Sequence, residues 1–243
     1  MRSAMICIAD IKLLKSRSEI LGLKIQFVEV KNIKFAKKNK FGTIQFIQIS
    51  SCKDSSSGSL NPKNAKYIID NLNYGIAECL RNKNVGLVTG PIQKSNIING
   101  GFKNFQGHTE WIQKKTKSKN AVMLLSSSKI KVALASTHIP LAEVAKNIRK
   151  SKLIQIVQTL HSGLKTKFKI KHPAITILGL NPHAGENGKM GMEEIKVINP
   201  AVKVCKEMGI NASYAISADT AFTTKKIKET DAYLAMYHDQ ALP

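Results

Sequence analysis

Short apolar runs recur along the whole chain, and polar or helix-like segments separate them. Runs of about four to eight apolar, β-branched or aromatic residues between turn residues are typical of buried strands. Segments of this kind predict strands within residues 5–10, 24–30, 43–49, 85–91, 121–125, 131–140, 174–185 and 231–240.

Apolar residues at helical spacing predict helices between these strands. The first helix covers residues 12–22 and ends at Gly22. The second begins at Asn61-Pro62, because asparagine is a favoured N-cap and proline fits the first helical turn. Further helices are predicted over residues 141–160, ending near Gly163, and as a pair broken at Pro200.

The order of elements is strand, helix, strand along most of the chain, apart from a polar loop within residues 31–60. Strands that alternate with helices form mostly parallel sheets, which helices cover on both faces. We therefore predict an α/β protein with mostly parallel sheets.

Composition narrows the class of protein. The chain has 243 residues, of which 43% are hydrophobic, an ordinary globular composition. No apolar run approaches the ~20 residues that span a bilayer, and the N-terminal residues lack the features of a secretory signal. The four cysteines show no CxxC spacing, so free thiols are predicted rather than a disulfide framework or a zinc knuckle. We predict a cytoplasmic protein that does not enter membranes.

The formal net charge of +22 suggests a nucleic-acid-binding protein, because clustered cations bind phosphate backbones. Two features argue against that function. Only four of the 38 basic residues are arginine, the side chain that contacts phosphates and bases bidentately. The lysines are also spread over every segment of the chain. We predict a solvated basic surface that attracts anionic substrates, and no nucleic-acid partner.

Three of the six histidines follow predicted strands: His138, His183 and His238. In an open parallel sheet, ligands bind at the carboxyl ends of the strands, so these imidazoles can converge on one point. A single histidine at a strand end is more often a structural residue, but the shared placement of three favours a metal site. His161 and His172 are predicted to be surface residues.

Imidazole ligands suit Zn²⁺, Co²⁺, Fe²⁺ or Ni²⁺ and leave coordination positions open, as in catalytic sites. An open position could hold water for hydrolysis or a substrate hydroxyl for oxidation, and spacing does not choose between them. Glu186, Asp219 and Asp239 are candidate carboxylates that orient a ligand or carry a proton. The glycine-rich segment after His183 matches no standard phosphate loop, and the chain has no standard dinucleotide-binding fingerprint.

Several segments, in this order along the chain, carry a resemblance to a known family: VTGPIQKSNIINGGF, GHTEW, ASTHIPL, GLNPHAGENGKMGMEEI, SADTAF and LAMYHDQALP. They closely resemble the 4-hydroxythreonine-4-phosphate dehydrogenase family of pyridoxal phosphate (vitamin B6) biosynthesis. The NPHAGE and MYHDQ segments are specific to that family, and the similarity extends from about Met5 to Pro243.

The resemblance implies a two-lobed α/β/α fold related to isocitrate and isopropylmalate dehydrogenases. We expect residues 1–95 to form a first α/β lobe, incomplete at its N-terminus, and residues 96–243 to form a second lobe that carries the three histidines. Enzymes of this family are homodimers. Their active site lies in the cleft between the lobes and is completed by the partner subunit.

The resemblance also implies roles for individual residues. The family's three metal ligands correspond to the histidines identified above, His138, His183 and His238. Its substrate-binding pair corresponds to His108 and Thr109 of GHTE. Lys94 and Asp219 correspond to positions that line the same cleft, and we assign them catalytic roles. A solvated surface lysine is an equal alternative for Lys94.

The implied reaction is the NAD- or NADP-dependent oxidation of a phosphorylated amino acid, 4-hydroxythreonine 4-phosphate. The 3-oxo acid product would decarboxylate to 3-amino-2-oxopropyl phosphate. The expected metal is zinc, magnesium, cobalt or manganese, and the cofactor-binding residues are not identified. Two alternatives stay open: a dehydrogenase for another phosphorylated hydroxy acid, and a metallohydrolase that uses the same three histidines.

The chain departs from the family pattern at both ends. It begins where the family's second strand is expected, and it stops before the downstream segments that bind substrate and cofactor. Gln106 stands where the family commonly has threonine, and Ala241 where it has glycine. We predict that the chain is a fragment of a longer enzyme and that the 243 residues alone lack dehydrogenase activity.

Overall fold

The computed structural model of the protein describes residues 4–241. The chain divides into two compact units, Met1–Ser118 and Lys119–Pro243. The lobe division expected after residue 95 stays a prediction. In the structure, the helices within residues 94–116 belong to the first unit, because their apolar side chains pack on the longest helix of that unit.

The first unit combines a parallel sheet with helices. Its strands are β1 (Ile6–Ile8), β2 (Gln26–Glu29) and β3 (Thr43–Ile47). Its helices are α1 (Ile11–Ile20), α2 (Ala65–Arg81), α3 (Lys94–Asn99) and α4 (His108–Thr116), and short 3-10 turns cover Ile33–Phe35 and Pro62–Asn64. The strand order is β1-β3-β2, and both pairs are parallel.

Local capping interactions determine where helices of this unit begin. The carboxylate of Asp10 caps α1 by accepting the backbone N–H groups of Lys12 at 2.7 Å and Leu13 at 3.4 Å. Asn61 caps the turn Pro62–Asn64, and its side chain accepts a backbone N–H of that turn. The helix predicted to start at Asn61 therefore begins there, first as a 3-10 turn and then as α2.

The core of the first unit lies between α2 and the two helices that follow it. Ile69, Leu72 and Ile76 of α2 are buried, and they form a cluster with Ile97 of α3 and Phe105. Burial of apolar side chains is worth roughly 1.5–3 kcal/mol each, so this cluster is what holds the helices together.

The second unit is built on a mixed sheet. Its strands are β4 (Leu124–Ser126), β5 (Lys131–Leu134), β6 (Ile175–Ile177) and β7 (Ala232–Ala235). Its α-helices are α5 (Leu141–Asn147), α6 (Lys150–Thr166), α7 (Asn199–Glu207), α8 (Ala218–Ala221) and α9 (Thr224–Glu229). A π-helix covers Glu194–Ile198, a 3-10 turn covers His238–Ala241, and Pro182–Gly188 form a turn that is left-handed at residues 183–187. The strand order is β4-β5-β7-β6; β4 pairs antiparallel at the edge and the other pairs are parallel.

Side chains of β5 and β7 alternate between two buried clusters. Ala133 and Leu234 belong to the cluster that includes apolar residues of α6 and α7. Val132 and Tyr233 belong to a second cluster, together with Ala221 of α8. Because both faces of the sheet are covered, successive residues of β5 and β7 are buried, which explains the apolar runs Val132–Leu134 and Ala232–Ala235 in the sequence. The predicted α/β class with mostly parallel sheets is confirmed.

The strand predicted within residues 85–91 is wrong. Val85 donates its N–H to the carbonyl of Asn82 in a turn, and Val88 is almost fully exposed. Leu87 alone in this run packs against the core of the first unit. This short apolar run therefore contributes one core residue and does not form a strand. Among the described residues, no strand of the sheet is hydrogen-bonded to it.

Two helix predictions also need correction. The helix expected over residues 141–160 is two helices, α5 and α6, because Ile148 adopts an extended backbone and buries its side chain in the core. The pair expected to break at Pro200 is continuous, since the π-helix runs directly into α7. Pro200 lies in the first turn of α7, directly after the π-helix, and the helical segment continues through it although proline donates no backbone hydrogen bond.

Other expectations concern the ends of the chain and its cysteines. The first three residues, and Leu242 and Pro243 of the HDQALP segment, lie outside the described residues. No helix within residues 4–241 is long and apolar enough to cross a membrane. The four cysteines are free thiols, as predicted, and burial raises the pKa of Cys7 and of Cys205.

Candidate active site

The three candidate histidines lie at one edge of the second sheet. Strands β5, β7 and β6 are neighbours and run parallel, so their carboxyl ends meet at the same edge. His138 follows β5, His238 follows β7 and His183 follows β6. The central strand therefore carries His238, with the strands of the other two histidines on either side.

His138 and His238 lie close together. Their ring centroids are 5.6 Å apart, with an angle of 42° between the ring planes. The strand ends before them are connected by Ser136, whose buried hydroxyl donates to the carbonyl of Met236 at 2.6 Å. This hydrogen bond sets the positions at which the two histidine segments leave the sheet.

Carboxylates lie beside two of the histidines. His238 Nδ1 is 2.6 Å from Oδ1 of Asp239, and His183 Nδ1 is 3.8 Å from Oδ2 of Asp219. The longer distance is within the range of an ion pair but too long for a direct hydrogen bond. A hydrogen bond from Ser217 lowers the pKa of Asp219, so this exposed carboxylate is ionised at neutral pH. A carboxylate at Nδ1 favours a proton there and leaves Nε2 as the free donor atom.

The donor atoms suit a transition metal, but the three rings are not gathered around one point. Among residues 4–241, no group of three or more histidine, cysteine, aspartate or glutamate side chains is placed to hold a metal ion. His138 and His238 are adjacent, whereas His183 lies beside Asp219. Imidazoles with a carboxylate at Nδ1 fit the chemistry of metal ligation, and the metal role of the three histidines stays a prediction.

His183 lies in an unusual left-handed turn. The successive residues 183–187 have φ values of 52°, 51°, 78°, 42° and 55°. Only Gly185 among them lacks a side chain, and a left-handed backbone costs roughly 1–2 kcal/mol for each other residue. Contacts from the surrounding structure must offset this cost.

A buried carboxylate holds the segment that leads into this turn. Glu194 is 2% exposed and is the first residue of the π-helix. Its Oε1 accepts the backbone N–H groups of Leu180 at 2.7 Å and Asn181 at 2.8 Å. Its Oε2 accepts the side-chain nitrogen of Asn181 at 2.9 Å. A carboxylate removed from water needs such donors, and here they all come from the residues just before the turn.

Two further interactions connect the same region. Asn181 also donates its side-chain N–H to Glu193 at 2.7 Å, and this hydrogen bond lowers the pKa of Glu193. Gln240 bridges two strand ends: its carbonyl oxygen accepts the N–H of Met236 at 2.7 Å, and its amide nitrogen donates to the carbonyl of Gly179. The positions of the three histidines thus depend on side chains that belong to none of them.

Four of these supporting residues could not be recognised as such from the sequence pattern: Ser136, Asn181, Glu194 and Gln240. One signal could have found Glu194, because it lies one helical turn before the buried Ile198 and thus on the apolar side of its helix. A carboxylate in an apolar stripe needs a partner, which points to a special interaction. Of the carboxylates that were proposed, Glu186 is exposed and lies within the left-handed turn itself.

The remaining candidates lie in the first unit. His108 and Thr109 are the first two residues of α4 and are half-buried. The Nε2 atom of His108 is shielded from solvent and has no hydrogen-bond partner among the described residues. Lys94 is exposed at the start of α3. The surface alternative for Lys94 therefore stays open.

A cavity of about 450 Å³ lies beside Lys94. Its lining includes Lys94, Lys103, Lys114, Gln106, Glu110 and Trp111. The amines attract anions, while the aromatic ring and the amide offer stacking and hydrogen bonds. Gln106, one of the departures from the family pattern, therefore faces a space that a ligand could enter.

The two other histidines differ from each other. His172 is exposed, as predicted. The surface prediction is wrong for His161, because it is half-buried in α6, and its Nδ1 is shielded without a hydrogen-bond partner among the described residues. Burial, and secondarily the charge of Lys165, lowers the pKa of His161. Neither histidine follows a strand of the second sheet.

Comparison with known proteins places the chain in a family. A family model described as "Pyridoxal phosphate biosynthetic protein PdxA" matches residues 1–243. A 4-hydroxythreonine-4-phosphate dehydrogenase from Pseudoalteromonas translucida (strain TAC 125) is 38% identical over 239 residues, covering 98% of this chain and 72% of that protein. One from Yersinia enterocolitica serotype O:8 is 40% identical over 235 residues, covering 97% and 71%.

Solved structures agree with these relatives. The crystal structure of 4-hydroxythreonine-4-phosphate dehydrogenase from Klebsiella pneumoniae has a TM-score of 0.87 and 25% sequence identity, covering 97% of this chain and 72% of that chain. A terephthalate 1,2-cis-dihydrodioldehydrogenase from Burkholderia xenovorans LB400 shares the fold, with a TM-score of 0.64 and 17% identity. The motifs, the fold and these similarities together show that the chain belongs to the PdxA family of pyridoxal phosphate biosynthetic proteins.

Proposed function

We propose that the protein is a metal-assisted, nicotinamide-dependent dehydrogenase that acts on 4-hydroxythreonine 4-phosphate. The secondary alcohol is oxidised to a ketone with NAD or NADP as the acceptor. The resulting 3-oxo acid then loses carbon dioxide to give 3-amino-2-oxopropyl phosphate. The names of the relatives support the dehydrogenase class and a phosphorylated hydroxy amino acid as substrate.

One observation carries this proposal. Histidines follow three neighbouring parallel strands at one sheet edge, and carboxylates lie beside the Nδ1 atoms of His183 and His238. Structural histidines have no physical reason to follow three neighbouring strands at the same edge. An edge of this kind is the usual place for a ligand in an open parallel sheet.

The residues of the second unit have distinct roles in the proposed site. His138, His183 and His238 are the metal ligands, each through a neutral imidazole nitrogen. Asp219 favours a proton on Nδ1 of His183 through its negative charge, and we assign its exposed carboxylate the role of accepting the proton that the substrate hydroxyl loses. Asp239 orients the ring of His238 through the contact at Nδ1.

The residues of the first unit bind rather than break bonds. His108 and Thr109 contact the phosphate or carboxylate of the substrate, with backbone N–H groups at the start of α4 as further donors. Lys94 contributes a positive charge to the same task or passes a proton, in line with its position at the start of α3. Binding of this sort accelerates the reaction by positioning.

When bound, a divalent cation would polarise the substrate hydroxyl and the new carbonyl, and a nicotinamide would accept the hydride. The donor set admits zinc, magnesium, cobalt or manganese, with the softer imidazole ligands favouring zinc and cobalt.

The proposal also includes a homodimer and a cytoplasmic location, both implied by the family resemblance. Light scattering after size-exclusion chromatography tests the dimer, and a monomer mass would contradict it.

The function is tested by mixing the full-length gene product with 4-hydroxythreonine 4-phosphate and NAD, with and without a chelator. We expect absorbance of reduced nicotinamide to appear, and to disappear when the chelator removes the metal. His183→Ala should abolish the signal, whereas the exposed His172→Ala should not. Metal-dependent consumption of substrate without nicotinamide reduction would contradict the dehydrogenase and favour a metallohydrolase.

A further inference from the structure

The left-handed turn at residues 183–187 rests against the carboxylate of Glu194. A methyl group at Gly185 would lie 2.6 Å from Oε2 of Glu194, and one at Gly179 would lie 2.8 Å from Cα of Ala184. Such distances allow no side chain, so the backbone of the turn packs directly on the carboxylate and on the strand end. A shift of Glu194 would therefore move the turn.

The hydrogen bonds of Glu194 act at the entrance of the same turn. Both carboxylate oxygens are used by donors from Leu180 and Asn181, the residues between the end of β6 and Pro182. These donors fix the direction in which the chain leaves the strand. Glu194 is the first residue of the π-helix, and from there its carboxylate reaches the backbone N–H groups that follow β6.

Glu194 itself does not lie among the candidate ligands. It is 2% exposed, whereas the side chains of His183 and Asp219 are 65% and 59% exposed. The carboxylate is therefore beneath the turn, on the side away from solvent, and the imidazole is on the accessible side. This arrangement separates the residue that shapes the turn from the residue that would bind a ligand.

We propose that Glu194 is a positioning residue, which holds the left-handed turn that presents the imidazole of His183 at the sheet edge. The inference rests on the proposed function in one respect, namely that His183 is a metal ligand. A ligand carried on a turn of this kind needs its supporting residues to be rigid, because a small misplacement of the ring weakens coordination.

Glu194→Gln tests the proposal. The substitution keeps the shape of the side chain but replaces one acceptor oxygen with an N–H₂ group, which faces the donors of Leu180 or Asn181. We expect the affinity of the metal-free protein for Zn²⁺, measured by isothermal titration calorimetry, to fall about 10- to 100-fold. The imidazole signals of His183 in NMR spectra of the metal-free protein should also shift, because the ring moves even without metal.

Glu78→Gln is the matched control. Glu78 is also buried, at 8% exposure, but it lies in α2 of the first unit and pairs with Arg81. The control variant should bind Zn²⁺ as the wild type does and leave the His183 signals in place.

The outcomes separate the positioning role from the proposed function. Unchanged His183 signals and unchanged Zn²⁺ affinity in Glu194→Gln would overturn the positioning role. If His183→Ala does not weaken Zn²⁺ binding, the metal role fails, while a shift of the His183 signals in Glu194→Gln still supports the positioning role. Should Glu194→Gln not fold, Gly185→Ala replaces it, because its methyl group would lie 2.6 Å from Oε2 of Glu194 and so forces the turn and the carboxylate apart without removing the charge. Wild-type affinity and wild-type His183 signals in that variant would likewise overturn the proposal.

Discussion

The two units contain the same structural device at the carboxyl edges of their sheets, and they use it differently. Asp10 follows β1 and is 2% exposed; its carboxylate accepts backbone N–H groups of Lys12 and Cys52 at 2.7 Å and 2.9 Å. Glu194 lies behind the segment that follows β6, is equally buried, and also accepts two backbone N–H groups. Each is a carboxylate that backbone donors stabilise.

What these carboxylates hold differs. Asp10 closes the start of α1 and fixes the loop at Cys52, neither of which carries a candidate ligand. Glu194 holds a strained turn that carries His183. A buried carboxylate at a sheet edge therefore does not by itself mark a functional site. The strain of the segment it supports, and the side chain on that segment, distinguish the two cases.

The largest expected effect concerns the central histidine of the second sheet. His238→Ala should lower the affinity for Zn²⁺ by about 100-fold or more, because it removes the donor next to His138 and between the outer strands. Isothermal titration calorimetry of the metal-free protein measures this change. His172→Ala is the control, since His172 is exposed and lies away from the edge. Equal Zn²⁺ affinities in His238→Ala and His172→Ala would contradict a metal-binding role for the edge of the second sheet.

A smaller effect is expected for the carboxylate of the first unit. Asp10→Asn should lower the free energy of unfolding by about 2 kcal/mol, because the helix cap and a charge-assisted hydrogen bond are weakened. Urea unfolding measures the loss, with the exposed Asp54→Asn as the control. Zn²⁺ affinity should stay at the wild-type value. A fall in that affinity would break the distinction between a structural and a functional carboxylate.

The hydroxyl of Ser136 should contribute less. Ser136→Ala removes the donor to the buried carbonyl of Met236 and should lower the free energy of unfolding by about 1 kcal/mol. Because the bond connects the segments of His138 and His238, Zn²⁺ binding should weaken as well. Ser126→Ala, at an exposed position of β4, is the control for urea unfolding and calorimetry. If Ser136→Ala loses stability but no Zn²⁺ affinity, its role resembles that of Asp10.

The smallest effect concerns pH and lies away from both edges. The pKa of His161 is lowered by burial from an ordinary value of 6.5, so the unfolded chain binds this proton more readily than the folded protein. The stability that neutral His161 contributes is therefore fully present above pH 6.5, the pKa of the unfolded chain. It is lost as the pH falls from there through the lower pKa of the folded protein. His161→Leu should remove this part of the acid sensitivity in urea unfolding at pH values on either side, whereas the exposed His172→Leu should not. If the free energy of unfolding of His161→Leu depends on pH as that of the wild type does, other groups cause the acid sensitivity.

Much of the fold could be predicted from the sequence because its strands are buried on both faces. In β7 every residue is apolar, in β5 every residue after Lys131 is apolar, and helices lie between the two strands along the chain. The same signal failed at residues 85–91, because an apolar run does not say whether a neighbouring strand exists to pair with it. It also could not show that β4 pairs antiparallel, since the direction of pairing is not a local property.

The placement of the histidines could be predicted for a similar reason. A strand that ends at a recognisable place puts the residues just after it at the sheet edge, and each of the three strands is followed by a histidine within six residues. The orientation of His183 could not be predicted, because the left-handed run that carries it contains mostly residues that rarely adopt such a backbone. The left-handed run is held by Glu194, which lies in a different element, the π-helix.

By itself, the sequence determined the α/β class, the edge at which the histidines lie and the membership in a family. Apolar periodicity and short motifs are local features, so they can be recognised without the tertiary structure. Tertiary structure alone decided which rings lie together, which carboxylates lie beside them and which buried side chains hold the segments in place. These contacts depend on strand order and on residues that are distant in the sequence, such as Ser136 and Met236. The sequence alone does not show which distant residues meet.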